Sequence, residues 1–432
     1  MKVHEVFGIQ PTVREHSYVD RGNLDREFKK LLERQQTHIA IRGASKSGKS
    51  WLRQRVLKDP IIVQCRFQYT TMDVYRDALA RLDIKLEQEH TNANKWGGKL
   101  SAAGEAGVKL IAKVQGGGEV NYAHESTVKE KAVGKDTSDL EFIAALIRAS
   151  GRTLVIEDFH YLPEAEQRKF AFDLKTLWDY RTFIVVVGVW ISDNMLITLN
   201  SDLSDRIEEL TISWSDGELR QVLNKGCGAL GLRMKPDVAA LLSEISYGNV
   251  GLLQKLALRL IDDELGIVDS APPDTEIVIE QADKVPDAAM HVAEQLNQLY
   301  QTFARRVSEG IRKRKNATGI YAHAMAAIMG ADDAVLTNGL SGKEIYATAH
   351  ARQGRVQLSN LRAVLAKFPE LQIDADGRGL VLAYDSQNDL ISVVDRQLLL
   401  YRRYATVKWP WEDIIAEVGD KDEAYAAAEA VQ

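Results

Sequence analysis

This sequence is poor in the features that mark secreted, membrane-bound or metal-built proteins. Its 432 residues include two cysteines, Cys65 and Cys227, far apart and without C-x-x-C spacing. That excludes a disulfide framework and a cysteine-based zinc site, and it suits a reducing compartment. There is no basic excess: 55 Lys and Arg stand against 61 Asp and Glu, a net charge of −6. Any nucleic-acid surface must therefore be local. The longest apolar stretch, Phe183 to Ile191, runs nine residues, against the roughly 20 that a bilayer-spanning helix needs. Met1 to Gln10 lacks the apolar run of a signal peptide. No H-E-x-x-H, no Ser-centred G-x-S-x-G elbow and no internal repeat occurs. Disorder is excluded as well, because 45% of residues are hydrophobic and 27% charged, enough for more than one core. The expectation is a cytoplasmic, multidomain protein with no membrane segment.

What is present alternates in period. Asn23 precedes Leu24, Phe28, Leu31 and Leu32, which share a helical face. His38-Ile39-Ala40-Ile41 reads as a strand, Trp51 to Leu57 as a helix, and Ile61-Ile62-Val63 as another strand. Residues 70–90 read as a helix. Seven of the 30 glycines lie between Gly97 and Gly118, which marks an inserted loop or hairpin within 96–136. Helix Asp139–Ala149, strand Thr153–Ile156, helix Pro163–Tyr180 and strand Thr182–Val189 follow. Strands alternating with helices predict an α/β fold with a parallel sheet. From Ser215 the pattern turns all-helical, with helices at Ser215–Gly226, Lys235–Ile245 and Val250–Leu265. A linker at 269–286 and a long helix from Asp287 to about Lys315 come next.

Gly43-Ala44-Ser45-Lys46-Ser47-Gly48-Lys49-Ser50 fits G-x-x-x-x-G-K-[ST] between a strand and a helix. Glycines let successive backbone N–H groups face one anion, and the following helix aims its positive end at the same point. Lys49 would neutralise β- and γ-phosphates, and Ser50 would set its hydroxyl on Mg²⁺. Leu154-Val155-Ile156-Glu157-Asp158 is an apolar strand ending in two carboxylates, at the end of a parallel sheet where ligands bind. One of Glu157 and Asp158 can hold Mg²⁺ through water while the other polarises an attacking water.

On these residues the chain resembles the AAA+/STAND superclass of P-loop ATPases, near the Orc/Cdc6 initiators, over residues 15–265. The resemblance implies ATP and Mg²⁺ as cofactors and ATP hydrolysis as the activity. Tyr18-Val19-Asp20-Arg21 looks like the box near the adenine, and Ile156 to Leu162 like a Walker B strand and turn. Ser192 or Asn194 falls where sensor 1 belongs. Arg206, in Leu203-Ser204-Asp205-Arg206, falls at the arginine-finger place and implies self-association. The resemblance implies an ATPase core over 1–205 and a helical lid over 206–268. Glu157-Asp158 departs from the usual Asp-Asp or Asp-Glu order, which bears on the hydrolysis rate. Gly248-Asn249-Val250-Gly251 lacks the sensor 2 arginine, with Lys255 a turn further on.

In the C-terminal region, helices are expected over Ile320–Met329, from Ser341 with Glu344 as a capping box, and from Gln357 onward. Asp376-Gly377 between apolar runs signals a hairpin from Leu371 to Tyr384. Three helices and a hairpin resemble a winged helix over 287–404, followed by an acidic tail over 405–432 whose end, Ala426–Ala430, suits a frayed helix. Residues 301–370 hold 11 Lys and Arg against 5 Asp and Glu. Arg355, Arg362, Lys367, Arg378 and the run Arg312-Lys313-Arg314-Lys315 could meet double-stranded DNA. The alternative is a STAND-like signalling or defence ATPase whose winged helix binds a protein effector. A nucleotide-binding protein that hardly turns over is a third reading.

Overall fold

The structure, a computed structural model, describes residues 1–89, 97–116, 131–133, 138–190, 193–311, 318–372 and 380–417. Its contacts divide the chain into two compact units. One comprises residues 22–43 and 49–212, and is called the sheet unit below. The other comprises residues 1–21, 44–48 and 213–432, and is called the helical unit.

The sheet unit carries β1 (His38–Gly43), β2 (Ile61–Gln64), β3 (Ile84–Glu89), β4 (Gly97–Ala102), β5 (Lys131–Val133), β6 (Leu154–Glu157), β7 (Val185–Gly188) and β8 (Ile207–Ile212). Five of these form one parallel sheet in the order β2-β6-β7-β1-β8. Ala40 pairs with Val186, and Gln64 pairs with Glu157. The strands read as near-continuous apolar runs because both faces are covered. Alternation sends Ile39, Ile41, Val155, Val185 and Val187 to one face, against Phe28, Leu31 and Leu52. Ala40, Val63, Ile156 and Val186 go to the other, against helices Thr71–Ala80, Ser138–Ala149 and Glu164–Asp179. The start of helix Thr71–Ala80 has a local cause. Thr70 caps Asp73 N–H, and Asp73 returns a bond to Thr70 N–H at 2.9 Å.

The insert holds the hairpin β3–β4, with β5 pairing antiparallel on β4, and the helix Glu105–Gly116. The helix expected over 70–90 ends at Ala80 instead, and Asp83, at φ +57, turns the chain into β3. The strict alternation of Ile84-Lys85-Leu86-Glu87 is strand periodicity, which outweighs the helical pattern before it.

The helical unit is built around a single buried cluster. Val3 and Phe7 pack with helices Asp216–Ala229, Pro236–Ile245 and Val250–Leu258, and the cluster continues into helix Val285–Glu309. That helix buries Val285, Ala288, Val292, Leu296, Tyr300, Phe303 and Val307, a stripe at three-to-four spacing. Strands do not stop at Ser215. β9 (Leu232–Met234) and β10 (Ile277–Ile279) form a short parallel pair, so part of the expected linker is paired backbone.

The C-terminal region places helices Ile320–Met329, Gly342–Arg352 and Leu358–Leu365 beside a three-stranded sheet. Its strands β11 (Leu340–Ser341), β12 (Leu382–Asp385) and β13 (Leu390–Val393) run antiparallel in the order β11-β13-β12. The hairpin therefore lies one turn later than expected: Leu371 and Gln372 belong to helix Phe368–Gln372. The turn is held by Asp385, whose carboxylate accepts from Gln387 N–H and Asn388 N–H, an Asx arrangement. Asp376, Gly377, Arg378, the run Arg312–Lys315 and the tail segment Ala426–Ala430 lie outside the described residues. Trp409 stacks on Trp411 at 4.5 Å between ring centroids, and Trp411 is buried in the main cluster.

One buried group ties the sheet unit to pH. His38 opens β1 fully enclosed. One ring nitrogen, Nε2, meets the Leu174 carbonyl at 2.8 Å, and the other, Nδ1, accepts from Ile184 N–H at 3.2 Å. Accepting at Nδ1 requires the neutral ring, and burial pushes the pKa down to about 4. The unfolded chain takes up its proton near pH 6.5 and the folded chain does not, so stability is complete above about pH 6.5 and falls as pH drops toward 4. A loss of about 3 kcal/mol across that window is expected from this residue. Urea midpoints at pH 7 and pH 4.5 check it: in His38→Gln the difference between the two shrinks by most of that amount.

Candidate active site

β1 delivers Gly43 to the start of the phosphate loop, and helix Lys49–Val56 leaves its end. In the sheet unit, Lys49 Nζ donates to the Gly43 carbonyl at 3.0 Å. Burial lowers the Lys49 pKa to about 8, and the carboxylates of Asp158 and then Glu157 pull it back up. Those two acids therefore sit within electrostatic reach of the amine, as the sequence pattern required. Glu157 is the last residue of β6, and Asp158 turns the chain in the left-handed region at φ +57. Ser50 lies exposed on the first turn of the loop helix.

The neighbouring strand ends fix the acids. Gln64, the end of β2, donates from Nε2 to Asp158 Oδ2 at 3.0 Å. Arg53 donates from Nε to Glu157 Oε1 at 2.7 Å. His160 Nδ1 accepts from Val189 N–H at 3.2 Å, so its proton resides on Nε2. Burial, and then the charge of Lys49, hold the His160 pKa down at about 3. The imidazole is thus neutral at any physiological pH.

In the helical unit the middle of the loop, residues 44–48, is gripped by its carbonyls. Asn249 Nδ2 donates to the Ser45 carbonyl at 2.7 Å, Gly251 N–H to that of Lys46 at 3.1 Å, and Trp214 Nε1 to that of Ser47 at 2.9 Å. In a trans peptide the C=O and the next N–H point opposite ways. Binding the Ser45 and Ser47 carbonyls therefore turns the N–H groups of Lys46 and Gly48 to the other side, the disposition of an anion-binding nest. Gly48 has φ +94, where only glycine is comfortable. Gly251 allows the close approach, since a Cβ there would lie 2.9 Å from the Lys46 carbonyl oxygen. The place of the missing sensor 2 arginine is thus used to hold the loop.

These residues fit a triphosphate and its metal. Ser47 Oγ is buried with no hydrogen-bond partner among the described residues, and a phosphate oxygen would satisfy it. In the sheet unit, Lys49 is a cation suited to phosphate oxygens, while Ser50, Glu157 and Asp158 are oxygen donors of the kind Mg²⁺ prefers. A glycine loop after an inner strand, a lysine opening the next helix and two acids at a parallel strand end decide the class. The sheet unit has a P-loop NTPase fold.

No protein-family model matches the chain, and no curated protein matches it. Among solved structures it is similar to Orc1 of Aeropyrum pernix, solved in complex with DNA, at 12% identity over 89% of this chain and 92% of that one, TM-score 0.36. It is also similar to a signal transduction ATPase with numerous domains (STAND) from Pyrococcus horikoshii, which carries a tetratricopeptide repeat sensor. That match has 12% identity over 95% of this chain and 45% of the other, TM-score 0.39. Cdc6p of Pyrobaculum aerophilum matches at 10% identity over 93% of this chain and 94% of that one, TM-score 0.34. The P-loop fold rests on the strand order β2-β6-β7-β1-β8 and the loop that follows β1.

Other expected site residues fall as follows. Arg21 is buried with its guanidinium 4.3 Å from the Trp214 ring centroid. Arg206 lies 4.7 Å from the Trp178 ring centroid and donates to the Asp202 carbonyl. Asn194 is exposed, and its backbone N–H is bound to the Glu209 carboxylate; Ser192 lies outside the described residues. Arg53 and Gln64 hold the acids within the sheet unit, and Asn249 and Trp214 hold residues 44–48 within the helical unit, all four without a sequence motif. Only the one-turn spacing from Lys49 to Arg53 hinted at any of them.

Proposed function

We propose that the chain is an AAA+/STAND-type molecular switch that binds ATP with Mg²⁺ and hydrolyses it slowly. The observation that carries this reading is the amine of Lys49, at the end of a glycine loop, coupled to the carboxylates of Asp158 and Glu157. Gly43 to Lys49 hold the phosphates, with Arg21 contributing at the nucleotide's other end. Ser50 and Glu157 hold the metal, and Asp158, the shorter acid, activates water. Asn249, Gly251 and Trp214 bind the loop's own backbone. Through these bonds the conformation of residues 44–48 is passed to the helices that carry them. Contacts to the γ-phosphate exist only with ATP, so they bias a conformational equilibrium. Arg206 supports self-association as an arginine finger.

The output domain is winged-helix-like, and one observation favours a protein effector over DNA. Arg362, on the third helix, is committed to Asp389: its Nε and Nη2 lie 3.1 and 2.6 Å from Oδ2, while Tyr384 donates to Oδ1. A guanidinium neutralised this way is withdrawn from phosphate or base contacts. Light scattering in solution, with and without ATP and with and without duplex DNA, tests both claims. ATP is expected to raise the mass through copies of this chain. Duplex association that falls about a thousandfold between 50 and 200 mM salt would restore the DNA reading. Absence of any ATP-dependent change in mass would remove the assembly role of Arg206.

A further inference from the structure

The two acids at the end of β6 are not equivalent. Asp158 accepts from a neutral amide, that of Gln64. Glu157 accepts from Arg53, a residue only 8% exposed. Arg53 stands four residues after Lys49 on the loop helix, hence on the same face one turn on. Arginine keeps its charge at every accessible pH, and its planar fork fixes the oxygen it holds. A divalent cation approaching Glu157 therefore meets a carboxylate already compensated by an internal cation, with one oxygen committed and the other left over.

We propose that Arg53 is a positioning residue that holds Glu157 by Oε1, presents Oε2 toward the metal, and keeps bare divalent cations off the strand-end acids until nucleotide brings the metal in. This rests on the nucleotide reading of the site. The chemistry is simple competition between cations for one carboxylate. A fixed positive charge in near contact repels a second cation strongly in a partly buried setting. A triphosphate adds several negative charges and reverses that balance, so metal and nucleotide arrive as one complex.

Titration of Mn²⁺ into the nucleotide-free full-length chain, with free ion counted by electron paramagnetic resonance, tests this. Wild type is expected to bind weakly, Arg53→Gln about tenfold more tightly, and Arg53→Lys within about twofold of wild type because it keeps the charge. No tightening in Arg53→Gln would overturn the proposal. Should that variant fail to fold by circular dichroism, Glu157→Gln decides. Its nucleotide-free Mn²⁺ affinity is expected within about twofold of wild type, since the charge removed was already compensated. A loss as large as that of Asp158→Asn would overturn the proposal. Fluorescent ATP analogue binding, measured on the same wild-type sample with Mg²⁺, separates the two levels. No nucleotide binding sinks the site itself, whereas binding with unchanged Mn²⁺ affinity in Arg53→Gln sinks only the role of Arg53.

Discussion

Lys49→Ala is expected to weaken ATP binding at least a hundredfold, about 2.7 kcal/mol. Charge-assisted hydrogen bonds to phosphate contribute roughly 1.5–3 kcal/mol each, and the proposed site gives the amine that role. Its loss does more than delete an attraction. Asp158 and Glu157 both act on that amine, so without it they face the triphosphate uncompensated except through Arg53. The folded chain itself is expected to tolerate the change, because burial already disfavours the charged amine. The measurement is paired: calorimetry for affinity, and the thermal midpoint with and without nucleotide. Saturating ATP at about 100 times its Kd stabilises wild type by about 2.7 kcal/mol, and that increment disappears in the variant. An unchanged increment would mean the loop does not grip phosphate.

Asp158→Asn is expected to separate binding from turnover. Removing a general base lowers the chemical step by roughly 10²–10⁴. The amide is isosteric and Gln64 can still bond to its oxygen, so ATP affinity is expected within about threefold of wild type. Glu157→Gln is expected to act differently, since Glu157 is paired with Arg53 and is proposed to hold the metal. It raises the Mg²⁺ concentration needed for half-maximal hydrolysis more than it lowers the limiting rate. Single-turnover hydrolysis over a Mg²⁺ series distinguishes the two. A reversed pattern would exchange the roles of the acids.

Much of this site was legible because its parts are local. The loop motif, the strand before it and the helix after it lie within the nineteen residues from His38 to Val56, and apolar runs such as Leu154-Val155-Ile156 leave little choice of structure when both faces are covered. The positions that escaped are those whose meaning is set at long range. Gln64 acquires its role only because β2 pairs with β6 and brings it level with Glu157. Asn249 is an N-cap by local pattern, accepting from Leu252 N–H, yet its amide also reaches Ser45 more than 200 positions back. The hairpin was misplaced for a different reason. Asp376-Gly377 is a strong local turn signal, but Asp385 satisfies the next turn through side-chain bonds that no dipeptide preference records. Residues 84–89 show the reverse case, where the deciding signal is local: their alternation is strand periodicity, and the chain follows it once the helix ends at Ala80.

The contact between Arg206 and Trp178 has a kinetic consequence. For its guanidinium to serve a neighbouring copy, it must first leave the indole face, a separation that costs about 0.5–2 kcal/mol. Under the proposed role of Arg206 the tryptophan would be a latch, and only an anion attractive enough to lift it would commit two molecules to each other. Brief collisions between molecules lacking the triphosphate would fall below that threshold and come apart unproductively.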